Sequence, residues 1–355
     1  MTRSLFFGHP QGMPLRRTRS LFFGHPQGMP LRLLFVLALL AFSCDLEDPS
    51  TPGLLVPRTV DQDPTLPSLA INGTLLHVET YGKPSDPLLV LIHGGPGGDY
   101  RSLLPAKAMA QEGFFVIFYD QRGTGLSQRV SRSQFERADA IQLMIDDLDQ
   151  LIGHFKKSPS QKVFLMGHSW GAMLATAYLN QNPQAISGAV LAEPGGFTWT
   201  QTTEYLSHSN KIKLFSEALN DAVYPEQIFS GRAEHEILDY KASFFASFEN
   251  APGNTIGNAG PYPFWRNGAV AFNALIDNAE RRGLDFATHL KEFKPKVLFL
   301  YSELNRAYQL PWAQQVSSPY AQAQLEEIKG CGHEMFHFAW PGIMEKSLSY
   351  LNALK

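Results

Sequence analysis

The run Val163-Phe164-Leu165-Met166-Gly167-His168-Ser169-Trp170-Gly171 restricts the fold more than any other part of the chain. Val163 to Met166 is continuously apolar, the pattern of a strand buried on both faces of a parallel sheet, and Ala172 to Leu179 reads as a helix of mostly small and apolar residues. A strand-to-helix turn that tight holds its central residue at strained dihedrals, so the flanking positions must lack a Cβ that would strike nearby backbone. The spacing Gly167-x-Ser169-x-Gly171 meets that need and predicts a nucleophile elbow. Ser169 would then stand at the start of a helix whose N–H groups favour negative charge.

At 355 residues, 44% hydrophobic and 18% charged, the chain is expected to form one large α/β domain carrying an insertion. A net charge of −3 without a basic cluster gives no footprint for a nucleic-acid partner. The N-terminus is set apart by a perfect duplication, Thr2–Arg16 recurring at Thr18–Arg32, followed by the apolar run Leu33–Ser43. That run is too short to span a bilayer and suits the h-region of a secretion signal starting at Met29. It resembles a bacterial lipoprotein signal ending in a lipidated Cys44, so residues 1–44 are read as the targeting segment of an exported chain, membrane-anchored through that lipid or, as the alternative, periplasmic or secreted. Cys331 is the only other cysteine, which rules out a disulfide framework if Cys44 carries lipid. Residues 45–68, with five prolines among acidic and small residues, read as a semi-extended tether.

The folded body starts with two strands around Asn72-Gly73, a hairpin turn signal. The buried strand Pro87–Ile92 runs into His93-Gly94-Gly95-Pro96-Gly97-Gly98, whose glycines expose backbone N–H groups at the sheet's C-terminal edge. No Gly-Lys-Ser/Thr follows, which argues against a phosphate cradle. The N–H groups of Gly95 and Trp170 are the candidate oxyanion-hole donors. A second core strand ends in Asp120-Gln121-Arg122-Gly123, and Ala138–Lys157 reads as a helix burying Ile141, Met144, Leu148, Leu151 and Ile152. Its Asp146, Asp147 and Asp149 are expected on a solvated face, because no histidine accompanies them at metal-ligand spacing. No metal or other cofactor is expected.

His93–Gly98, Asp120–Gly123 and Gly167–Gly171, in this order and spacing, resemble the proline iminopeptidase family of α/β-hydrolases, and Gly330-Cys331-Gly332-His333 fits the same pattern. The resemblance implies a mostly parallel central sheet with helices on both faces, a helical cap, a serine triad, and release of an N-terminal residue, often proline, from small peptides. Core segments at 69–196 and 294–355 would flank a cap at 197–293. Ser169 is then the nucleophile and His333 the base. The acid is where the sequence departs from the family, because the position expected to hold aspartate is Asn305. Two carboxylates stand as substitutes. Glu193 follows the strand after the nucleophile helix, where some haloalkane dehalogenases carry their acid, and is placed first; Glu303, on the loop of Asn305, is second. Trp199, Phe264 and Trp265 are read as lining an apolar slot or, equally, as the cap's own core, and Glu249 is a candidate anchor for a substrate amine. Arg306 stands where the family has a further acidic residue, so a carboxylesterase of small or lipid-like esters is the alternative enzyme. A catalytically dead binding protein is the alternative from another class.

Overall fold

The computed structural model describes residues 51–209, 234–248 and 254–355. Strands β1 (Ser68–Ile71), β2 (Thr74–Tyr81), β3 (Leu88–Ile92), β4 (Phe115–Tyr119), β5 (Val163–His168), β6 (Gly188–Ala192), β7 (Val297–Ser302) and β8 (Ala323–Ile328) form one sheet in the order β1-β2-β4-β3-β5-β6-β7-β8. The two β2 pairings are antiparallel and all others parallel. Asn72 and Gly73 both take positive φ, as the β1–β2 hairpin turn requires.

Along β3 the side chains alternate between two cores: Leu88, Val90 and Ile92 enter one, Leu89 and Leu91 the other. Strand periodicity thus divides the apolar run between the two faces of the sheet, and each face needs a covering layer. On the first lie α2 (Ala140–Phe155), α3 (Trp170–Gln181) and α7 (Leu310–Ser317), after the short α1 (Arg132–Glu136); on the second lie the 3₁₀ segment Arg101–Glu112, α8 (Met335–Phe338) and α9 (Trp340–Asn352). Helix α2 begins where Asp139 accepts hydrogen bonds from the N–H groups of Ile141 and Gln142, and it buries the five apolar residues of its predicted face. Asp147 departs from the solvated reading. It is buried and forked to Arg122, at 2.8 Å from Nε and 2.5 Å from Nη2, which ties the Asp120–Gly123 turn to this helix.

Between β6 and β7 the chain leaves the sheet through α4 (Trp199–His208), α5 (Glu234–Phe248) and α6 (Ala269–Arg282). The outgoing and returning strands of this excursion are stitched together, Trp199 N–H to Leu284 O and Phe286 N–H to Phe197 O, each at 2.8 Å.

The second half of the expected tether is docked instead. Val56, Thr59 and Val60 are buried, Glu236 on α5 accepts the N–H groups of Gly53 (2.9 Å) and Leu55 (3.3 Å), and Arg266 donates to the Pro57 carbonyl at 2.9 Å. The prolines remove donors but leave carbonyls, and a segment that also carries two valines has both polar and apolar reasons to pack. The predicted signal and Cys44 lie outside the described residues.

Candidate active site

The site forms where β5 hands over to α3. Ser169 sits at φ 55° and ψ −121°, a strained conformation for a residue with a side chain, and its N–H donates to Ala192 O at 2.8 Å. The glycines explain how the turn fits. A Cβ on Gly171 would lie 2.0 Å from Ile92 O, and one on Gly167 would lie 2.5 Å from Gly171 O. Ser169 is half-buried at the head of α3, and Trp170 occupies the first helical position, whose N–H has no acceptor within the helix.

The glycine-rich loop lies directly across this serine. A Cβ on Gly94 would come within 3.1 Å of Ser169 Cβ, and Gly95 adopts φ +131°, where a Cβ would strike the nitrogens of Gly97 and Gly98. His93 holds the loop's base: Nδ1 donates to Gly94 O (2.8 Å), and Nε2 accepts the Gln121 N–H (3.0 Å). Burial pushes the His93 pKa down, which favours the neutral ring this pattern needs. The Gln121 amide donates to His93 O and accepts the indole N–H of Trp170, both at 2.9 Å. One glutamine therefore fixes both elements that carry the candidate oxyanion donors. In the sequence Gln121 stands out only as part of a motif, with nothing to signal this work.

His333 reaches the site from the loop after β8. Its Nδ1 lies 2.6 Å from Glu193 Oε2, and both side chains are buried. Glu193 sits just past β6 at φ 45°, with its carboxylate enclosed by donors. Ser302 N–H (2.8 Å) and Oγ (2.5 Å) bond to Oε1, and Asn305 Nδ2 (2.8 Å) to Oε2. Asn305, read as a lost acid, is thus a donor that holds the carboxylate placed opposite it. Burial pushes Glu193 up to about 7, against the pull of the Ser302 and Asn305 bonds toward the charged form.

Glu303 is a correction to the candidate set. It turns outward to accept the Gly330 N–H at 2.9 Å and to pair with Lys329 at 3.4 Å, contacts that hold its pKa below the ordinary range. The loop bends after Ser302, so two residues suffice to reverse a side chain's direction, which spacing alone does not reveal.

The predicted aromatic slot is redistributed. Trp199 packs on the first core, and Trp265 packs edge-on against Tyr100 with ring centroids 4.8 Å apart. Phe264 meets Tyr262, and its carbonyl accepts from Arg101. The cap ring standing beside His333 is Tyr205 of α4, at 6.4 Å between centroids, backed by Tyr308 and Trp312. Glu249 lies outside the described residues.

The family described as "Serine aminopeptidase, S33" matches residues 83–255. The Bacillus subtilis (strain 168) protein named "Probable aminopeptidase YbaC" is 34% identical over 140 residues, 37% of this chain and 43% of that protein. The proline iminopeptidase of Heyndrickxia coagulans is 34% identical over 106 residues, 30% of this chain and 34% of its own length. Among solved structures, a proline iminopeptidase-related protein of Thermus thermophilus superposes with a TM-score of 0.56 at 22% identity, over 81% of this chain and 97% of that one. The chain has the α/β-hydrolase fold, and its matched segment is similar to proline iminopeptidases. The chain spans half or less of the length of the curated relatives it matches, and the part matched by the family carries the elbow and the glycine-rich loop but not His333 or Asn305.

Proposed function

We propose that this hydrolase releases N-terminal proline or a similarly small residue from peptides through an acyl-enzyme. The observation that carries the reading is the 2.6 Å contact between Glu193 and His333 Nδ1, on the loops that flank the Ser169 elbow. Glu193 fixes the His333 tautomer with its proton on Nδ1 and the lone pair on Nε2. Nε2 takes the Ser169 proton as Oγ attacks the scissile carbonyl, and the N–H groups of Trp170 and Gly95 receive the oxyanion. The same proton passes to the leaving amine. Water then repeats the sequence on the acyl-enzyme, giving its proton to His333 and releasing the acid and the free serine.

A second reading, hydrolysis of small or lipid-like esters, is favoured by the outward turn of Glu303 and by Arg306 beside Asn305, which leave a substrate ammonium without those two carboxylates. Proline p-nitroanilide and short-acyl p-nitrophenyl esters, assayed side by side on one preparation, separate the two. The peptidase reading expects the anilide to be cleaved and N-acetylation of its proline to abolish turnover; esters cleaved without any anilide turnover would overturn it. A fluorophosphonate probe is expected to label the wild type and not Ser169→Ala.

The export reading belongs to the same proposal: a signal ending before Cys44, a lipid on that cysteine and attachment to a membrane. Metabolic labelling with a palmitate analogue is expected to mark the wild type and not Cys44→Ala; equal labelling of both would refute it.

A further inference from the structure

Beside the proposed proton path, His168, His333 and Glu334 converge, all buried, with one potential metal-ligating atom from each lying within 4.8 Å of the others. One nitrogen of each ring has a defined partner. His168 Nε2 lies 2.8 Å from the His333 carbonyl, which can only accept, so its proton is on Nε2 and its lone pair on Nδ1. His333 Nδ1 faces Glu193 at 2.6 Å, which places its lone pair on Nε2. Metal-binding imidazoles characteristically donate their other N–H to a carboxylate or a backbone carbonyl, and these two rings show one of each. A Cβ on Gly94 would sit 3.4 Å from His168 Nδ1 and 3.1 Å from Ser169 Cβ, so that nitrogen faces the loop that covers the nucleophile.

Two imidazoles and a carboxylate, with a fourth position left for solvent or substrate, form a donor set suited to zinc and its borderline neighbours rather than to calcium or magnesium, which prefer all-oxygen shells. We propose that His168, His333 and Glu334 bind one divalent transition-metal ion of the zinc class, and that the bound ion switches the hydrolase off by occupying His333 Nε2. The inhibitory consequence rests on the serine-hydrolase reading of His333; binding itself does not. The ion acts as a competitor for one lone pair. While it is bound, His333 cannot accept the Ser169 proton, and removing the ion restores the base with no covalent change.

Binding is measured first, by titrating ZnCl₂ into Ser169→Ala calorimetrically and following Co²⁺ absorption in the visible region. One equivalent is expected to bind, weakened at least about tenfold in Glu334→Gln and in His168→Gln, with circular dichroism checking that each variant is folded. Wild-type ester hydrolysis is then expected to fall with added ZnCl₂ and to return with EDTA, while Glu334→Gln keeps its metal-free turnover and loses the sensitivity. Absence of stoichiometric binding to Ser169→Ala, or equal binding by folded Glu334→Gln, overturns the proposal. Stoichiometric binding by a protein inert toward every ester and anilide would leave the metal site standing and overturn the hydrolase reading instead.

Discussion

Glu193→Gln tests the candidate triad at its most constrained atom. The wild-type carboxylate accepts from Ser302 N–H, Ser302 Oγ, Asn305 Nδ2 and His333 Nδ1, and it is fully buried, so solvent cannot replace what the substitution removes. Gln is nearly isosteric. Its oxygen can keep the Ser302 bonds, but its amide nitrogen would then face two donors, Asn305 Nδ2 and His333 Nδ1. Either Asn305 turns or His333 moves its proton to Nε2, the tautomer that cannot accept from Ser169. The imidazolium formed during acylation also loses its counter-charge. Neutralising a triad acid while leaving the geometry intact costs about 10⁴ in kcat, which corresponds to about 5.5 kcal/mol of transition-state stabilisation. Glu303→Gln, by contrast, removes an exposed contact to Lys329, and its effect is expected to stay within about twofold because surface pairs contribute little. The assay is kcat on a short-acyl nitrophenyl ester for both variants, with fluorophosphonate labelling rate as an independent readout. Glu303→Gln falling further than Glu193→Gln, or Glu193→Gln retaining more than about a tenth of wild-type kcat, would refute the assignment.

Adding Asn305→Asp to Glu193→Gln returns a carboxylate beside His333, and kcat is expected to recover at least about tenfold over the single variant, while Asn305→Asp alone puts two acids together and lowers activity. Because burial raises the Glu193 carboxyl from 4.5 to about 7, activity is expected to fall as pH drops through 7, whereas this group's contribution to stability runs the other way. The folded state binds its proton more tightly than the unfolded chain, so between pH 7 and 4.5 the melting temperature of the wild type gains on that of Glu193→Gln as pH falls; a constant difference in melting temperature would contradict the shift. Gly171→Ala is expected to give no soluble folded protein, since its Cβ would lie 2.0 Å from Ile92 O, and a normal melting curve would show that the elbow has slack. A chain beginning at Asp61 loses the buried Val56 and Val60 and the Glu236 bonds, and compared with one beginning at Thr51 it is expected to be less stable by about 3 kcal/mol or more in urea.

What could be read beforehand, and what could not, follows the range of the forces involved. The elbow was legible because its constraint is local: three glycine or serine positions within five residues and a backbone with no room for a Cβ. The sheet was legible because fully buried strands such as β3 and β4 are continuous apolar runs. The acid was only half legible. Sequence shows that Asn305 lacks a charge, but that its amide reaches Oε2 of a glutamate 112 positions earlier depends on β6 and β7 being neighbours in the sheet, a long-range fact. The same holds for Asp147, whose burial against Arg122 was invisible from helix periodicity because a forked ion pair, not the hydrophobic face, draws it inward. The docked segment after Thr51 is hidden for the opposite reason, since its proline content points to extension while the partners that hold it, Glu236 and Arg266, lie in the cap. These cases share a cause: a polar side chain buried far from its sequence neighbours is stable only with a partner, and the partner is named by topology. It follows that changing Asn305 removes one of four hydrogen bonds from the buried Glu193 carboxylate, whereas changing Glu193 takes from the Asn305 amide the acceptor that topology supplies.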